Sequence, residues 1–469
     1  MNTLSLWKLP PNKELPWWFR NFFESFGKIL GRDFTYSVLF RILYNFVMLD
    51  IKFIRENQEL IKSAAKKKHI EFDVDKLIQV DDRRRKLLSS IETLRAEQNV
   101  ASEKIAAASQ EERTTLINAV KSVKDLLEKE DVAFKEVMHE WQLLMVAVPN
   151  LPDMSVPEGA SDADNQEVRV WGEKPVFNFE PKGHIELLEN LDMIDLDRGT
   201  KVAGFRGYFL KGDAVLLMFA IWQFTLTELM NKGFVPLSVP SLLKKAPFIG
   251  TGYLPQGEED LYRTQDTDYL AGTAEVATMA YFMDETIDLK SLPMKFISFS
   301  PCFRREAGSH GKDTKGLIRV HEFMKLEQVV LCEASHEQSV KLHEEVTANA
   351  EDIMKKIGLT HRVVVNCGGD LGLGQVKKYD IEAWVPTENS YRETHSASYF
   401  HDFQTRRLNI RYRDGDKLKF AHSLNNTAIA TPRVLVPIIE QFQQEDGSIL
   451  IPEVLQPYMN GRTRLAKRS

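Results

Sequence analysis

The sequence predicts a long two-helix arm followed by a domain of mixed helices and strands, from three observations. Apolar residues recur in a seven-residue repeat between positions 77 and 148. A proline-containing acidic segment follows, and from Trp171 onward runs with helical and strand periodicity alternate. With 469 residues, 43% of them hydrophobic, the chain is long enough for two or more domains.

Charge and cysteine content exclude several classes of protein. Lys and Arg number 61 against 67 Asp and Glu, so a net charge of -6 gives no general attraction to nucleic acid or to an anionic membrane. Any polyanion must be bound locally. The cysteines Cys302, Cys332 and Cys367 are odd in number and widely spaced, which argues against a disulfide framework and a zinc site. We expect a reducing, cytoplasmic location and no structural zinc.

Residues 1–47 differ in composition from the rest of the chain, because aromatic residues such as Trp17, Trp18 and Phe19 are concentrated there. Charged residues interrupt the apolar runs, so none approaches the roughly 20 residues that a membrane span needs. No compact apolar block is followed by a small-residue cleavage site. Three interpretations remain: an amphipathic appendage, an organellar leader, or untranslated sequence upstream of a start at Met48, which we favour.

The heptad repeat predicts an arm within residues 48–150. It runs from Leu77 to Ala108, is interrupted by the polar residues 109–112, and resumes at Leu116. Two long helices joined by a short break are expected to fold back antiparallel. An arm of about 32 residues reaches on the order of 45 Å, at 1.5 Å per residue.

Composition does not decide what this arm binds. Its local basic clusters are residues 66–68 and 83–86, so a dimerising coiled coil remains an alternative to an RNA-binding arm. Prolines and an acidic stretch mark a linker at 151–170. Residues 171–469 then form the candidate catalytic domain.

The glycine-rich segment 368–374 invites comparison with a phosphate-binding loop, but no amphipathic helix follows it. The segment from Lys378 to Val385 instead alternates apolar and polar residues, which predicts a strand. We therefore expect the glycines to have a structural role.

The block around Arg304 carries the strongest chemical signal. Arg304 precedes Glu306 by two residues, and Phe323 lies on a second predicted strand after a basic loop. An arginine fork binds phosphate, a glutamate accepts from an adenine amino group, and a phenylalanine stacks on a base. Downstream, Pro432 predicts that Arg433 lies in the first turn of a helix, where anions bind. Each of these patterns alone also occurs by chance.

Together these segments resemble seryl-tRNA synthetase of the bacterial type, a class II aminoacyl-tRNA synthetase, from Met48 to about Tyr458. The residues that carry the resemblance are Lys232 to Pro240 for motif 1, Arg304, Glu306 and Phe323 for motif 2, Arg433 for motif 3, and Thr273-Ala274-Glu275 for the serine-binding loop. The resemblance implies an α+β fold, in which helices flank an antiparallel sheet of the class II type and an N-terminal antiparallel coiled-coil arm is attached.

The implied activity is that of a serine--tRNA ligase, which activates L-serine with ATP and transfers the seryl group to serine tRNA. The implied catalytic residues are Arg304, Glu306, Glu393 and Arg433. The implied serine-binding residues are Thr273, Ala274, Glu275, Glu327 and Thr427. The implied ATP-binding residues are Arg304, Arg305, Glu306, Val320, Phe323, Glu393, Thr394, His395, Ser396 and Arg433, with Glu393 and Ser396 also holding Mg²⁺.

The same resemblance implies partners. The arm would read the long variable arm of serine tRNA by shape and backbone contact, and selenocysteine tRNA is a further candidate substrate. A homodimer is implied, in which each arm reaches the tRNA that enters the partner's active site. No membrane association is expected.

Two residues depart from the family pattern. His395 stands where relatives usually carry serine in a Glu-x-Ser-Ser sequence, which puts the middle contact with ATP in question. Pro437 lies inside the predicted motif 3 helix, where proline removes a hydrogen bond.

Three rival functions are distinguishable from the sequence. A homologue that loads amino acids onto a carrier protein usually lacks the arm, which this chain has. A non-catalytic coiled-coil protein would not need Arg304, Glu306, Glu393 and Arg433. A zinc-dependent serine enzyme would need cysteine ligands near the serine pocket, and the spacing offers no obvious set.

Overall fold

A computed structural model describes residues 49–308, 313 and 315–467. The expected leader at 1–47 lies outside these residues. The described residues form one compact unit. Its first part is helical, with α1 at Ile51–Glu56, α2 at Gln58–Lys67, α3 at Val74–Ala107 and α4 at Gln110–Val146.

Helices α3 and α4 form the predicted antiparallel arm. Arg83 pairs with Glu140 at 2.6 Å and Arg95 with Asp131 at 3.3 Å, so the two helices run in opposite directions. Near the catalytic domain their apolar residues are buried, which stabilises the base of the arm: these are Leu77, Val80, Trp141 and Met145.

The break between the two arm helices is shorter than predicted. The polar residues 109–112 were expected to interrupt the helix, but α4 already begins at Gln110. Ser109 forms a capping box with Glu112, and such a box satisfies backbone donors that have no partner within the helix. Polar residues here start a helix instead of ending one.

The part of the chain after the arm contains eighteen strands within the described residues. Those of the large sheet are β1 (Gln166–Trp171), β4 (Val235–Ser238), β9 (Met294–Phe303), β10 (Glu322–Cys332), β11 (His361–Val365), β12 (Lys377–Val385), β13 (Ser390–His401) and β16 (His422–Thr431). The others are short: β2 (Ile194–Asp195), β3 (Phe209–Leu210), β5 (Leu242–Leu243), β6 (Tyr262–Arg263), β7 (Tyr269–Leu270), β8 (Thr286–Asp288), β14 (Arg411–Asp414), β15 (Lys417–Phe420), β17 (Ile449–Leu450) and β18 (Arg464–Leu465).

The large sheet has the order β1-β11-β12-β13-β16-β10-β9-β4. Every neighbouring pair is antiparallel except β4 and β9, which run parallel at one edge. The predicted strand from Lys378 to Val385 is confirmed as β12. The antiparallel sheet with flanking helices is the predicted α+β fold.

Helices cover the sheet and leave part of one face open. They are α5 (His184–Asn190), α6 (Leu196–Ala203), α7 (Asp213–Asn231), α8 (Lys245–Thr251), α9 (Ala274–Ala280), α10 (His336–Ile357), α11 (Phe403–Arg407) and α12 (Leu435–Gln441). Leu326 and Val330 of β10 pack in the core with residues of α10. Lys325 and Glu327 point to the opposite face and line a cavity, because side chains alternate along a strand.

Helix α7 is long and apolar enough by length and composition to cross a membrane. Eight of its residues are buried in the protein, among them Leu217, Ile221 and Phe224, which is the pattern of a core helix. Phe219 on the same helix is 56% exposed.

Candidate active site

A cavity of about 440 Å³ collects most of the predicted site residues on the open face of the sheet. Eleven of them line it: Glu275, Arg304, Glu306, Val320, Phe323, Glu327, Glu393, Thr394, Ser396, Thr427 and Arg433. The other four do not: Thr273, Ala274, Arg305 and His395.

Arg304 lies directly after strand β9, at the edge of the cavity. Its Nε and Nη2 atoms each lie 3.3 Å from the carbonyl oxygen of Gly272 and donate to it. The guanidinium carbon lies 5.3 Å from the centre of the Phe323 ring on β10, within cation–π distance. This contact orients the arginine toward the cavity and places a flat aromatic surface beside a positive charge.

Glu306 is held by a second arginine. Arg319 Nη1 donates to Glu306 Oε2 at 2.7 Å, and Arg319 Nε lies 3.5 Å from the Asp313 carboxylate. The backbone of Glu306 has a φ of 55°, a left-handed conformation that is uncommon for residues other than glycine. The turn carries the Glu306 carboxylate into the cavity wall.

A β-bulge explains how Glu393 and Ser396 share the cavity. Residues three apart on a regular strand point to opposite faces. The register of β13 against β12 shifts between the pairs Ile381–His395 and Glu382–Glu393, which inserts an extra residue at Thr394. The bulge reverses the alternation, and both Glu393 and Ser396 therefore line the cavity.

His395 points into the protein, away from the cavity. Its ring is buried, Nε2 lies 3.0 Å from the carbonyl oxygen of Ala428, and Nδ1 lies 2.8 Å from Thr394 Oγ1. Burial lowers the pKa of His395 to about 3. The predicted ATP contact of this side chain is therefore not supported by its position, and the ring has a packing role.

Arg433 reaches the cavity from just before helix α12. Its Nε donates to the carbonyl oxygen of Ile318 at 2.8 Å, and Nη1 lies 3.6 Å from Glu393 Oε2. The helix begins at Leu435, so Arg433 precedes the first turn in which it was predicted. Pro437 lies in that first turn, where backbone N–H groups lack helical partners, and the predicted loss of a hydrogen bond does not apply.

At the other end of the cavity, Glu275 is fully enclosed. It accepts from Tyr253 Oη at 3.0 Å and from Gln404 Nε2 at 2.6 Å. Burial raises the pKa of the Glu275 carboxyl, and the nearby carboxylate of Glu327 adds to this.

Glu327 forms a buried network with three neighbours. Lys325 Nζ lies 2.6 Å from Glu327 Oε2 and donates to Thr273 Oγ1 at 2.8 Å. Thr427 Oγ1 donates to Glu327 Oε2 at 3.4 Å. Thr273 also caps helix α9 by accepting from the backbone N–H of Glu275, so it supports the cavity wall from behind.

Comparison with known proteins identifies the family. The seryl-tRNA synthetase N-terminal domain matches residues 48–152, and the class II tRNA synthetase core domain (G, H, P, S and T) matches residues 260–442. The serine--tRNA ligase of Deinococcus radiodurans is 43% identical over 422 residues, which cover 90% of this chain and 99% of that protein. The chain belongs to the seryl-tRNA synthetase family.

Solved structures of seryl-tRNA synthetases have a similar fold over most of the chain. The enzyme of Pyrococcus horikoshii, complexed with ATP, has a TM-score of 0.82 at 36% identity and covers 90% of this chain and 100% of its own. The cytoplasmic serine-tRNA ligase of Naegleria fowleri, in complex with AMP, has a TM-score of 0.79 at 31% identity, over 90% and 99% of the two chains.

Sequence reasoning missed four side chains at this seryl-tRNA synthetase site. Lys325 had a usable signal, because residues two apart on a strand share one face, and Lys325 lies two residues from both Phe323 and Glu327. Tyr253, Gln404 and Arg319 had none, since each reaches its carboxylate partner from a distant or irregular segment.

Proposed function

We propose that this chain joins L-serine to serine tRNA in two steps, through a seryl-adenylate. The observation that carries the proposal is a single cavity with a cationic end, formed by Arg304 and Arg433, and a buried acidic end, formed by Glu275 and Glu327. The first end suits the phosphates of ATP and the second suits an amino acid. The proposal agrees with the membership of the chain in the seryl-tRNA synthetase family.

The acidic end has the charge that an amino acid requires. Two buried carboxyl groups, those of Glu275 and Glu327, lie there with one ammonium, that of Lys325, which contacts Glu327. The α-ammonium group of serine would be a charged partner for the Glu275 carboxyl. The hydroxyl of Thr427 lies beside Glu327 and is placed to pair with the serine hydroxyl. A pocket built for a hydroxyl rejects alanine, because its polar groups would lack partners.

In the first step a carboxylate oxygen of serine attacks the α-phosphorus of ATP, and pyrophosphate leaves. No nucleophile of the protein takes part, so catalysis rests on positioning and charge stabilisation. We assign Arg304 to the carboxylate and α-phosphate and Arg433 to the leaving pyrophosphate. Phe323 would stack on the adenine ring and Glu306 would accept from its amino group, with Val320 lining the same end.

The oxygen donors of Glu393 and Ser396 fit a hard cation such as Mg²⁺. The bulge at Thr394 brings a carboxylate and a hydroxyl to one wall of the cavity, close to Arg433. When bound with ATP, Mg²⁺ supplies positive charge against the phosphates. We assign these two residues to holding it.

In the second step the terminal ribose hydroxyl of the tRNA attacks the seryl carbonyl carbon and AMP leaves. We assign tRNA recognition to the α3–α4 arm, whose 34 and 37 residues project from the base near Leu77 and Met145. Arg85 and Lys86 are exposed on it. Serine tRNA is the proposed substrate, with selenocysteine tRNA as a second candidate, and the proposed location is the cytoplasm.

A homodimer is proposed from the apolar surface around strand β4, the edge strand of the large sheet. Phe219 on α7, Val235 on β4 and Leu242 on β5 are 56%, 52% and 52% exposed. Large apolar side chains that are exposed on one chain favour association, because a second chain that covers them removes them from water. Light scattering on the purified chain should give twice the mass of one chain, and a monomer at micromolar concentration would contradict the proposal.

ATP–pyrophosphate exchange across the twenty amino acids, without tRNA, tests the activity. We expect serine with Mg²⁺ to give the highest kcat/KM and alanine to be rejected. Equal exchange with alanine would contradict the hydroxyl-specific pocket.

A further inference from the structure

The sequence shows Lys66, Lys67 and Lys68 as one basic run, but the structure separates them. Lys66 is exposed, and Lys67 lies 3.5 Å from the Glu158 carboxylate. Lys68 is 2% exposed and points into the protein at the end of helix α2. Its ammonium therefore does not face an RNA in solution, and it has another role.

The Lys68 ammonium binds one short segment of the catalytic domain. Nζ donates to the carbonyl oxygens of Gly372, Leu373 and Gln375 at 3.2, 3.0 and 2.6 Å. A buried cation is stable only when such partners replace water. Burial lowers the pKa of Lys68 to about 7, which reflects how completely water is excluded.

Asn150, at the base of the arm, binds the same segment. Its backbone N–H donates to the carbonyl oxygen of Leu373 at 2.9 Å, and its Nδ2 donates to that of Gly374 at 2.9 Å. Residues of the helical domain thus hold four successive carbonyl groups. The glycine at 368 permits this approach, because a Cβ there would lie 2.1 Å from the carbonyl oxygen of Lys67. The predicted structural role of the glycines is confirmed there.

The same segment, residues 372–375, is a wall of the cavity. Gln375 Nε2 donates to Ser398 Oγ at 2.8 Å. Gly374 lies against the Phe403 ring, so closely that a Cβ would be 2.4 Å from it. The next residue on α11, Gln404, donates to the Glu275 carboxylate. Lys68 is therefore linked to the acidic end of the cavity through packed and hydrogen-bonded groups.

The base of the arm also holds α11 directly. Arg407 Nη2 donates to the carbonyl oxygen of Val146, the last residue of α4, at 3.1 Å. Gly252, which lines the cavity, lies against Phe403 on the same helix. Two contacts of the helical domain therefore support the acidic end: that of Lys68 with residues 372–375 and that of Val146 with Arg407. Arg304 and Arg433 are positioned by other segments.

We propose that Lys68 is a positioning residue for serine activation, by which the helical domain fixes the 372–375 wall of the serine pocket in the step that does not involve tRNA. The proposal rests on the function proposed above. Loss of the ammonium removes the donor to the carbonyl groups of Gly372 and Gln375 and one of the two donors to that of Leu373, so the wall and Glu275 lose their fixed position. Serine binding suffers and ATP binding does not.

The test compares Lys68→Met with Lys66→Met in ATP–pyrophosphate exchange without tRNA. Methionine keeps an unbranched side chain that is shorter by one atom, and it removes the charge. We expect K68M to raise KM for serine by about tenfold, with KM for ATP within about twofold of wild type, and K66M to change neither. Wild-type KM values in K68M, or equal rises for serine and ATP, would overturn the proposal.

If K68M does not fold, as judged by circular dichroism, Asn150→Ala tests the same proposal. It removes one side-chain contact to the same wall and should raise KM for serine by a smaller factor, again without affecting ATP. An unchanged serine KM in folded N150A would then overturn the proposal. Because both variants are compared with the wild type, failure of wild-type exchange with serine would instead contradict the proposed function.

Discussion

Lys325 Nζ lies 2.6 Å from Glu327 Oε2, and both side chains are buried on the same strand of the large sheet. Three ionisable groups, these two and Glu275, thus share one enclosed end of the cavity. An arrangement of two carboxyl groups with a single cation leaves Glu275 as the partner for a bound ammonium group. It also makes the pocket sensitive to the loss of that cation.

Lys325→Met should destabilise the protein by about 3 to 5 kcal/mol, because removing one partner leaves a buried carboxylate without compensation. Urea unfolding measures the change. Lys419→Met is the matched control, since its partner Asp414 is on the surface, and we expect no measurable effect. Equal stability of K325M and wild type would contradict the stabilising role of Lys325 beside the buried Glu327.

Arg304→Ala should lower kcat/KM for exchange by about a hundredfold or more, because it removes a positive charge where negative charge develops. Arg305→Ala is the control. Arg305 does not line the cavity and instead binds the carbonyl oxygen of Glu259, so a small effect is expected. A comparable loss in R305A would support the ATP contact predicted from the sequence.

His395→Ser tests which way this side chain points. Since the ring is buried and faces Ala428, we expect a loss of stability of about 2 kcal/mol or more with KM for ATP unchanged. A change in KM for ATP at unchanged stability would place His395 at the nucleotide.

Stability should fall as the solution is acidified, in part through His343. This ring is buried, stacks on Tyr379 and contacts the carbonyl oxygen of Ala397, and burial lowers its pKa to about 4. Below the ordinary pKa of about 6.5, His343 binds a proton in the unfolded chain but stays neutral in the folded chain. The free energy of unfolding therefore decreases as pH falls from about 6.5 toward 4.

The size of this effect is about 2 kcal/mol per such histidine between pH 7 and pH 5. Unfolding of His343→Phe at both pH values should show a smaller difference than wild type. The same pH dependence in both proteins would mean that other groups, such as His401 and His422, account for it.

Deleting the outer arm should separate the two steps. Arg83 faces Glu140 and Arg95 faces Asp131. Replacing residues 89–135 with a short Gly-Ser bridge therefore cuts both helices at the same distance from the base of the arm. The packed base around Leu77 and Met145 remains. Exchange with serine should stay within about tenfold of wild type, a change of about 1.4 kcal/mol.

Charging of serine tRNA by the same variant should fall much further, because the part of the arm proposed to contact the tRNA is missing. Unchanged charging would show that the arm is a packing or partner-binding element. A collapse of both steps would show that it supports the catalytic fold.

The sequence predicted the elements whose signals are local. The heptads located the arm, the alternation after residue 377 located β12, and the motif residues Arg304, Phe323 and Arg433 meet in one cavity. The register of β13 could not be derived from the sequence, because the bulge at Thr394 decides that His395 points away from the cavity and that Ser396 lines it.

Long-range contacts were also beyond prediction. Lys68 belongs to a charge run that is indistinguishable from a solvated surface, yet it binds residues some 300 positions away along the chain. Gln404 and Tyr253 meet at Glu275 only because the fold brings their segments together. No local sequence pattern predicts that these side chains contact one another.

Transfer of labelled serine by the purified full-length chain tests the central claim most directly. The acceptors are serine tRNA, the same tRNA without its long variable arm, and a carrier protein with a free thiol. The account predicts acid-precipitable seryl-tRNA with the intact tRNA, much less with the shortened one, and none on the carrier. Serine on the carrier thiol and none on tRNA would contradict it.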